Sequence, residues 1–322
     1  LTLPAWLRPA PVRALLALAA VLLLGCIANA GGAFFHAATH FGLLDAVGSA
    51  GILAIGQCLV ILGGGIDLSV GSVLAFSGMA FAGLMLEGGW VWPLAAAAAI
   101  AAGTACGLLN GVLVARARIQ PFLATLATMV IARGLARWLP ELAGKDANSK
   151  FLPVEVSGPQ AWQWLAGKSW LGLPNTGLLF LLVAAAATLF VKRTVAGRHL
   201  LAVGGNEEAA RLAGIAVVRT KLLAYGLCGA CSGLAAVCWV ARDVQGNPAA
   251  GAMFELDAIA AVVIGGTSLQ GGRGGIGLAV IGLFTLAYID KVLSLNAVPD
   301  HWRLVVRGVI ILAAVLLQER RR

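Results

Sequence analysis

The sequence predicts an all-α, polytopic transmembrane bundle of about ten spans, and three observations carry that reading. The 322 residues are 60% hydrophobic and only 11% charged, a balance foreign to soluble domains. Apolar runs near the length that crosses a bilayer, about 20 residues, recur along the chain. The net charge of +9 lies in short segments between these runs, not on one amphipathic face, which fits orientation in a membrane and speaks against nucleic acid as a partner.

The first run, 14–30, follows Arg8 and Arg13 and closes on Ala28-Asn29-Ala30. It reads as a retained first span because the next run follows closely; a cleaved signal peptide is the alternative. The second run, 43–62, stops at Gly63-Gly64-Gly65, which ends a helix and lets backbones approach. Asp67 or Ser69 then accepts hydrogen bonds from the free N–H groups that open the third run, 70–86. One reading is a helix cap; the other is a broken helix that turns polar groups toward a solute path, where charge is expensive unless it serves a purpose.

Runs 91–114 and 122–139 follow, then a polar stretch, 140–176, whose Trp162, Trp164 and Trp170 suit a membrane interface. Within it Gly167-Lys168-Ser169 resembles a phosphate loop, but Trp162 stands where that loop needs its first glycine. After the run 177–191 comes a basic, polar loop, 192–221. There Asn206 to Leu212 suits a short helix, with Asn206 as cap, Glu207 and Glu208 in the first turn, and Gly214 as stop. With Ala209, Ala210 and Leu212 on its surface, this helix suits docking into a partner's groove; an ordinary solvated loop is the alternative.

Four more runs complete the chain: 221–241, 257–269, 277–293 and 304–317. The second of these is short and reads as broken or tilted. The glycines from Gly265 to Gly277 include a literal G-x-G-x-x-G at Gly272, Gly274 and Gly277, without the strand-turn-helix context of a dinucleotide site. A tight, mobile turn between two apolar helices explains it, and the chain has no nucleotide site of its own. The cysteines, Cys26, Cys58, Cys106, Cys228, Cys231 and Cys238, all lie in apolar runs and read as small packing residues.

With the amino terminus inside and sides alternating, 14 of the 23 basic residues fall inside, from Arg8 and Arg13 to Arg320–Arg322. Both termini are therefore expected to be cytoplasmic. The chain reads as a single transmembrane domain, 1–322, with blocks 43–139 and 221–317 as inverted repeats of four spans. Asp67 and Asp257 then occupy matching stations.

Five ordered motifs give the chain a resemblance: G-G-I-D-L-S-V-G at 64–71, N-G-V-L-V at 110–114, P-F-L-A-T-L-A-T-M at 121–129 with Arg133-Gly134, A-V-G-G-N-E-E-A-A-R-L-A-G-I at 202–215, and E-L-D-A-I-A-A-V-V-I-G-G-T-S-L-Q-G-G-R-G at 255–274. It resembles the membrane subunits of bacterial ABC importers for ribose, xylose, galactose and related sugars, in the branched-chain permease superfamily. Cys58, where Thr is common, and Gln120, before Pro121, depart from that pattern and bear on which sugar is carried.

The resemblance implies a fold similar to the vitamin B12 importer permease in the bacterial inner membrane. It implies a cytoplasmic ATPase that binds ATP and Mg, a periplasmic sugar-binding protein docking on external loops including 242–256, and a second permease subunit, identical or related. This chain would bind no cofactor and would not be an enzyme. ATPase coupling falls to Gly205, Asn206, Glu207, Glu208, Ala209, Ala210, Arg211, Leu212, Gly214 and Ile215. A neutral sugar needs only sparse polar groups along its path; Gln57, Asp67, Ser69, Asn110, Thr125, Thr128, Asp257, Thr267 and Ser268 are the candidates. Each Thr or Ser has the alternative of bonding its own helix backbone. The rival function is an ion-coupled secondary transporter titrating Asp67, Glu255 or Asp257; a scaffold that moves nothing is a further rival.

Overall fold

Proline and glycine punctuate this chain, and helices fill the intervals. A computed structural model describes residues 9–29, 31–86, 88–151, 161–169 and 172–319. The helices are α1 (Ala10–Ile27), α2 (Ala37–Leu62), α3 (Val70–Leu86), α4 (Trp92–Ala115), α5 (Pro121–Leu142), α6 (Asn175–Arg193), α7 (Val195–Gly205), α8 (Glu207–Leu212), α9 (Val217–Asp243), α10 (Phe254–Ile264), α11 (Ile276–Leu295) and α12 (Asp300–Glu319). Among the described residues there is no strand, only isolated bridges at Phe151–Gly246 and Lys168–Pro174. Trp170, Ala30, Arg8 and Arg320–Arg322 lie outside the described residues, as does part of the stretch 140–176.

Each predicted apolar run coincides with a helix, with shifted ends. Pro11, Pro93 and Pro121 sit in the first turns of α1, α4 and α5, where a missing N–H is no loss. α9 runs past its predicted end to Asp243, stopped by Val244 in the left-handed region at φ 53°. Among the described residues, seven helices, α1, α2, α4, α5, α6, α9 and α11, have the length and hydropathy to cross a membrane. α10 does not: Gly265 and Gly266, the latter at φ +95°, end it at Ile264 instead of the predicted 269. Its 11 residues rise roughly 16 Å, about half of a 30 Å hydrocarbon core.

α2 and α9 form the axis and are mostly buried. α9 lies against α2, α3 and α4, while α2 also lies against α6, α10 and α11. The seam between α4 and α9 is made of bare backbone. Gly103 and Gly107 on α4 face Gly229 and Gly233 on α9, and a methyl at Gly229 would lie 2.9 Å from the Gly107 nitrogen. Small residues spaced by four let helices approach without a hydrophobic drive, the usual solution in lipid.

Candidate functional site

Where α2 breaks, four of the predicted path residues meet. Gly63 caps α2, and Gly64 at φ +79° turns the chain sharply, with the backbone of Gly204 against it. The extended stretch that follows carries unpaired peptide groups into the interior, and side chains satisfy them. With its amide oriented to suit both partners, Gln57 donates to the Asp67 carbonyl at 2.9 Å and accepts from its N–H at 3.2 Å. Asp67 Oδ1 accepts from the Ser69 N–H at 2.8 Å and the Ser69 hydroxyl at 2.6 Å. From α4, Asn110 donates to Ser69 Oγ at 2.9 Å and stands 3.4 Å from both Asp67 oxygens. None of the four is more than 2% exposed, so this polar knot pins the break between α2 and α3 onto α4.

The remaining candidates disperse. Thr125 donates to the Pro121 carbonyl of its own helix at 2.9 Å and stands 3.4 Å from the Ile66 carbonyl. The Thr128 hydroxyl is buried without a hydrogen bond. Thr267 accepts from the Gly275 N–H at 3.3 Å and Ser268 Oγ from the Gln270 N–H at 3.3 Å, so both shape the turn between α10 and α11. That turn is tied down: the Gly272 N–H donates to the Leu62 carbonyl at 3.0 Å, and its backbone lies against Gly205. Of the glycines in the false dinucleotide motif, Gly272 thus lets its backbone meet those of Leu62 and Gly205, while a methyl at Gly274 would strike the Thr267 side chain and one at Gly277 would meet nothing within 4 Å. Asp257 does not repeat the setting of Asp67. It sits in the first turn of α10 and is gripped by Arg307 of α12 at 2.8 and 2.9 Å.

The loop 192–221 is more ordered than its polarity indicates. α6 runs to Arg193, and Thr194 caps a new helix, α7, by accepting from the Gly197 N–H at 3.0 Å. α8 follows directly. Asn206 accepts from the Ala209 N–H at 2.9 Å, and Gly214 at φ +80° takes the chain out. Glu207 bonds Arg211 at 2.9 Å along the helix and Lys221 of α9 at 2.6 Å; the Lys221 hydrogen bond holds its carboxyl below the usual carboxylate range. Glu208 stands 3.5 Å from Arg211. One expectation needs correction. Ala210 is not on the surface of α8 but buried with Val203, Ile215 and Val217, because α8 must cover the end of α7 and the start of α9. Leu212, at 82% exposure, is the outward apolar residue. Beside α8, Arg116, Arg118, Gln120, Arg219 and Lys221 help to line a groove of about 810 Å³.

Two features at the other end of the bundle escaped sequence reasoning. Arg133 of α5 donates to the carbonyls of Pro248 and Ala250 at 2.7 and 2.8 Å. It clamps a loop that needs three left-handed residues, Val244, Gly251 and Met253. In addition, Asp290 on α11 lies near Arg303 and Arg307 of α12, at 3.5 and 3.6 Å. The available signal was an aspartate inside an apolar run and two arginines one helical turn apart, since intramembrane charges are paired.

Span-length apolar helices, a helix broken over a buried polar knot, and a capped polar helix set among basic loops define a multi-pass membrane protein. The chain belongs to the family described as branched-chain amino acid transport system / permease component, whose model matches residues 39–315. Its relatives include the ribose import permease protein RbsC of Escherichia coli K12, 38% identical over 306 residues covering 95% of this chain and 93% of that one. The RbsC protein of Bacillus subtilis is 38% identical over 290 residues, 89% of this chain and 87% of that one. The xylose transport system permease protein XylH of E. coli K12 is 34% identical over 335 aligned positions, 88% of this chain and 85% of that one. No solved structure matches the chain.

Proposed function

We propose that this chain is the permease subunit of an ATP-driven importer that passes a monosaccharide across the bacterial inner membrane. The observation that carries the reading is α8, a capped helix fixed to two neighbours. Glu207 ties it to Lys221 at the base of the axial helix α9, and Ala210 ties it to α7. A push on α8 is therefore delivered to long helices as rigid-body motion, not absorbed in a loop. ATP and Mg belong to the partner ATPase that pushes. A periplasmic binding protein delivers the sugar at the opposite end, onto loops such as 242–256, into a path shared with a second permease subunit.

About ten crossings, both termini in the cytoplasm and a fold like the vitamin B12 importer permease complete the proposal. The packing supports one domain with inverted repeats: α3 lies on α4, α5 and α9 as α10 lies on α11, α12 and α2. The glycine segments 63–65, 204–205 and 271–272 converge on one another, as expected if all are cytoplasmic. Within this frame Gln57, Asp67, Ser69 and Asn110 act as a hinge beside the path, and Gly205 to Ile215 as the coupling element.

Proteoliposomes holding the chain, its ATPase and its binding protein should accumulate ribose or xylose only with ATP. Uptake that survives loss of the ATPase and collapses with an uncoupler would instead establish the ion-coupled transporter. Failure of the complete system to move any monosaccharide would defeat the reading.

A further inference from the structure

The groove of about 810 Å³ beside α8 opens where α4 ends at Ala115, α5 begins at Pro121 and α9 begins at Val217. Only residues 116–120 join α4 to α5, so the groove stays at the level where these spans leave the bilayer. Its lining is divided by chemistry. Arg116, Arg118, Arg211, Arg219 and Lys221 bring positive charge against one carboxylate, Glu207, while Val114, Ile119, Val218 and Leu222 bring apolar surface. Glu207 is already bonded to Arg211 and Lys221, at 2.9 and 2.6 Å. Among the described residues no ion pair or side-chain hydrogen bond engages Arg116, Arg118 or Arg219. Arg118 also stands at φ 55°, the left-handed position after a helix where glycine is the usual residue, and the Ile119 N–H closes that turn on the Leu113 carbonyl at 3.0 Å. Orientation in a membrane requires only that charge lie in the loop. It does not require an arginine in a glycine's place, or cations from three segments meeting in one groove.

The two halves of the lining select the occupant. A free inorganic anion would answer the arginines and leave the apolar half bare. A nucleotide would bring phosphate, but among the described residues no aromatic ring lines the groove to stack its base. A second copy meeting the groove through the same face would bring the same cations. An acidic protein segment matches the charge, yet would have to enter the headgroup layer to reach the apolar lining. An anionic phospholipid satisfies both halves: its phosphate accepts from the arginine forks, and its glycerol and acyl chains cover the apolar surface. A track for those chains is present, because Leu109 and Val112 of α4 and Leu223 of α9 are exposed just beyond the groove, on the side toward the hydrocarbon. We propose that this groove seats the headgroup of an anionic phospholipid from the leaflet at this end, with Arg116, Arg118 and Arg219 as donors to its phosphate. The lipid fastens the ends of α4, α5 and α9 beside α8. The assignment does not depend on which solute passes; it needs only that this end of the bundle lie at a membrane surface.

The test is native mass spectrometry of the full chain in neutral detergent, titrated with phosphatidylglycerol and, separately, with phosphatidylcholine. The parent should retain one phosphatidylglycerol in preference to phosphatidylcholine. Arg118→Gln should weaken that retention roughly 5-fold, and Arg116→Gln, Arg118→Gln and Arg219→Gln together roughly 100-fold, the effects of one and three cations at a membrane surface. Arg118→Gly should lose the lipid as Arg118→Gln does while unfolding no more readily than the parent, because glycine suits the left-handed backbone. Lys192→Gln with Arg193→Gln, at the end of α6 and outside the groove, is the control and should retain the lipid as the parent does. Equal retention of the two lipids would reduce the groove to an apolar cleft, and an equal loss in the control would reduce it to general surface charge; either overturns the site. Displacement of phosphatidylglycerol by inorganic phosphate, but not by chloride at the same ionic strength, would show a free-anion site instead. Normal retention by the triple variant, with loss of the ATPase on co-purification, would make the groove a protein dock and end the lipid reading. None of these outcomes rests on uptake, so the importer reading stands or falls separately.

Discussion

Replacing Gly233 by alanine asks whether the axial helix α9 depends on bare backbone. A methyl built at Gly233 lies 2.6 Å from the Ile100 Cα and 2.8 Å from the Ala99 carbonyl oxygen. Carbon atoms in contact sit about 3.5–4.0 Å apart, so α4 and α9 must part by roughly 1 Å. Both obstructing atoms are backbone, which no rotamer change can move. Overpacking of this kind costs about 1–3 kcal/mol, and the better helix propensity of alanine returns about 1 kcal/mol. The expected net loss is therefore about 1 kcal/mol, reaching about 2 if the seam cannot adjust. Gly134 in α5 supplies the control, because nothing lies within 4 Å of its added methyl. Gly134→Ala should leave stability unchanged or raise it by up to about 1 kcal/mol. Equilibrium unfolding of both variants and the parent in one detergent reads the difference. Equal shifts for the two, or a stabilised Gly233→Ala, would refute the seam as the element that sets the approach of α4 and α9.

Three further outcomes follow from the geometry. Arg133→Met strips the Pro248 and Ala250 carbonyls of their donor, a loss of about 1–3 kcal/mol, visible as faster amide exchange across 244–253 and weaker uptake; unchanged exchange would mean the loop holds itself. Asn110→Leu leaves the Ser69 hydroxyl and Asp67 without their α4 partner and should destabilise by about 1–3 kcal/mol. Asn110→Asp, which sets a second carboxylate beside Asp67, should be worse in the same unfolding assay. For Glu207 the carboxyl is held low in the fold, so its contribution is complete above the ordinary carboxylate range, about 4.3. It is lost only as pH falls through the lowered value. Protection of the 206–212 amides should stay flat from about pH 8 to 5 and drop in stronger acid, with the drop abolished in Glu207→Gln; a transition near neutral pH would contradict this.

The parts that sequence reasoning reached are those governed by short range or by the solvent. Apolar runs must be helices because a bilayer offers no partner to unpaired peptide groups. α8 was legible because a cap is a contract between residues three apart, here Asn206 and Ala209. Thr194 made the same offer to Gly197, yet α7 passed for loop because its polar residues masked the helical period. Gln57, Asp67, Ser69 and Asn110 stood out singly, as polar residues in apolar surroundings always do. Their meeting did not, since Asn110 is 43 positions from Asp67.

What the sequence alone determined, then, is the membrane setting, the helical class, the breaks at glycine and the capped polar helix, all set by local backbone chemistry and the cost of charge in hydrocarbon. Only the tertiary structure decided that α4 meets α9 through glycines, that Ala210 turns inward, that Arg133 holds a distant loop and that Arg307 binds Asp257 rather than leaving it to match Asp67. Those outcomes depend on which helices cross and at what distance. Small-residue packing and buried pairing fix that crossing between segments whose separation along the chain carries no signal.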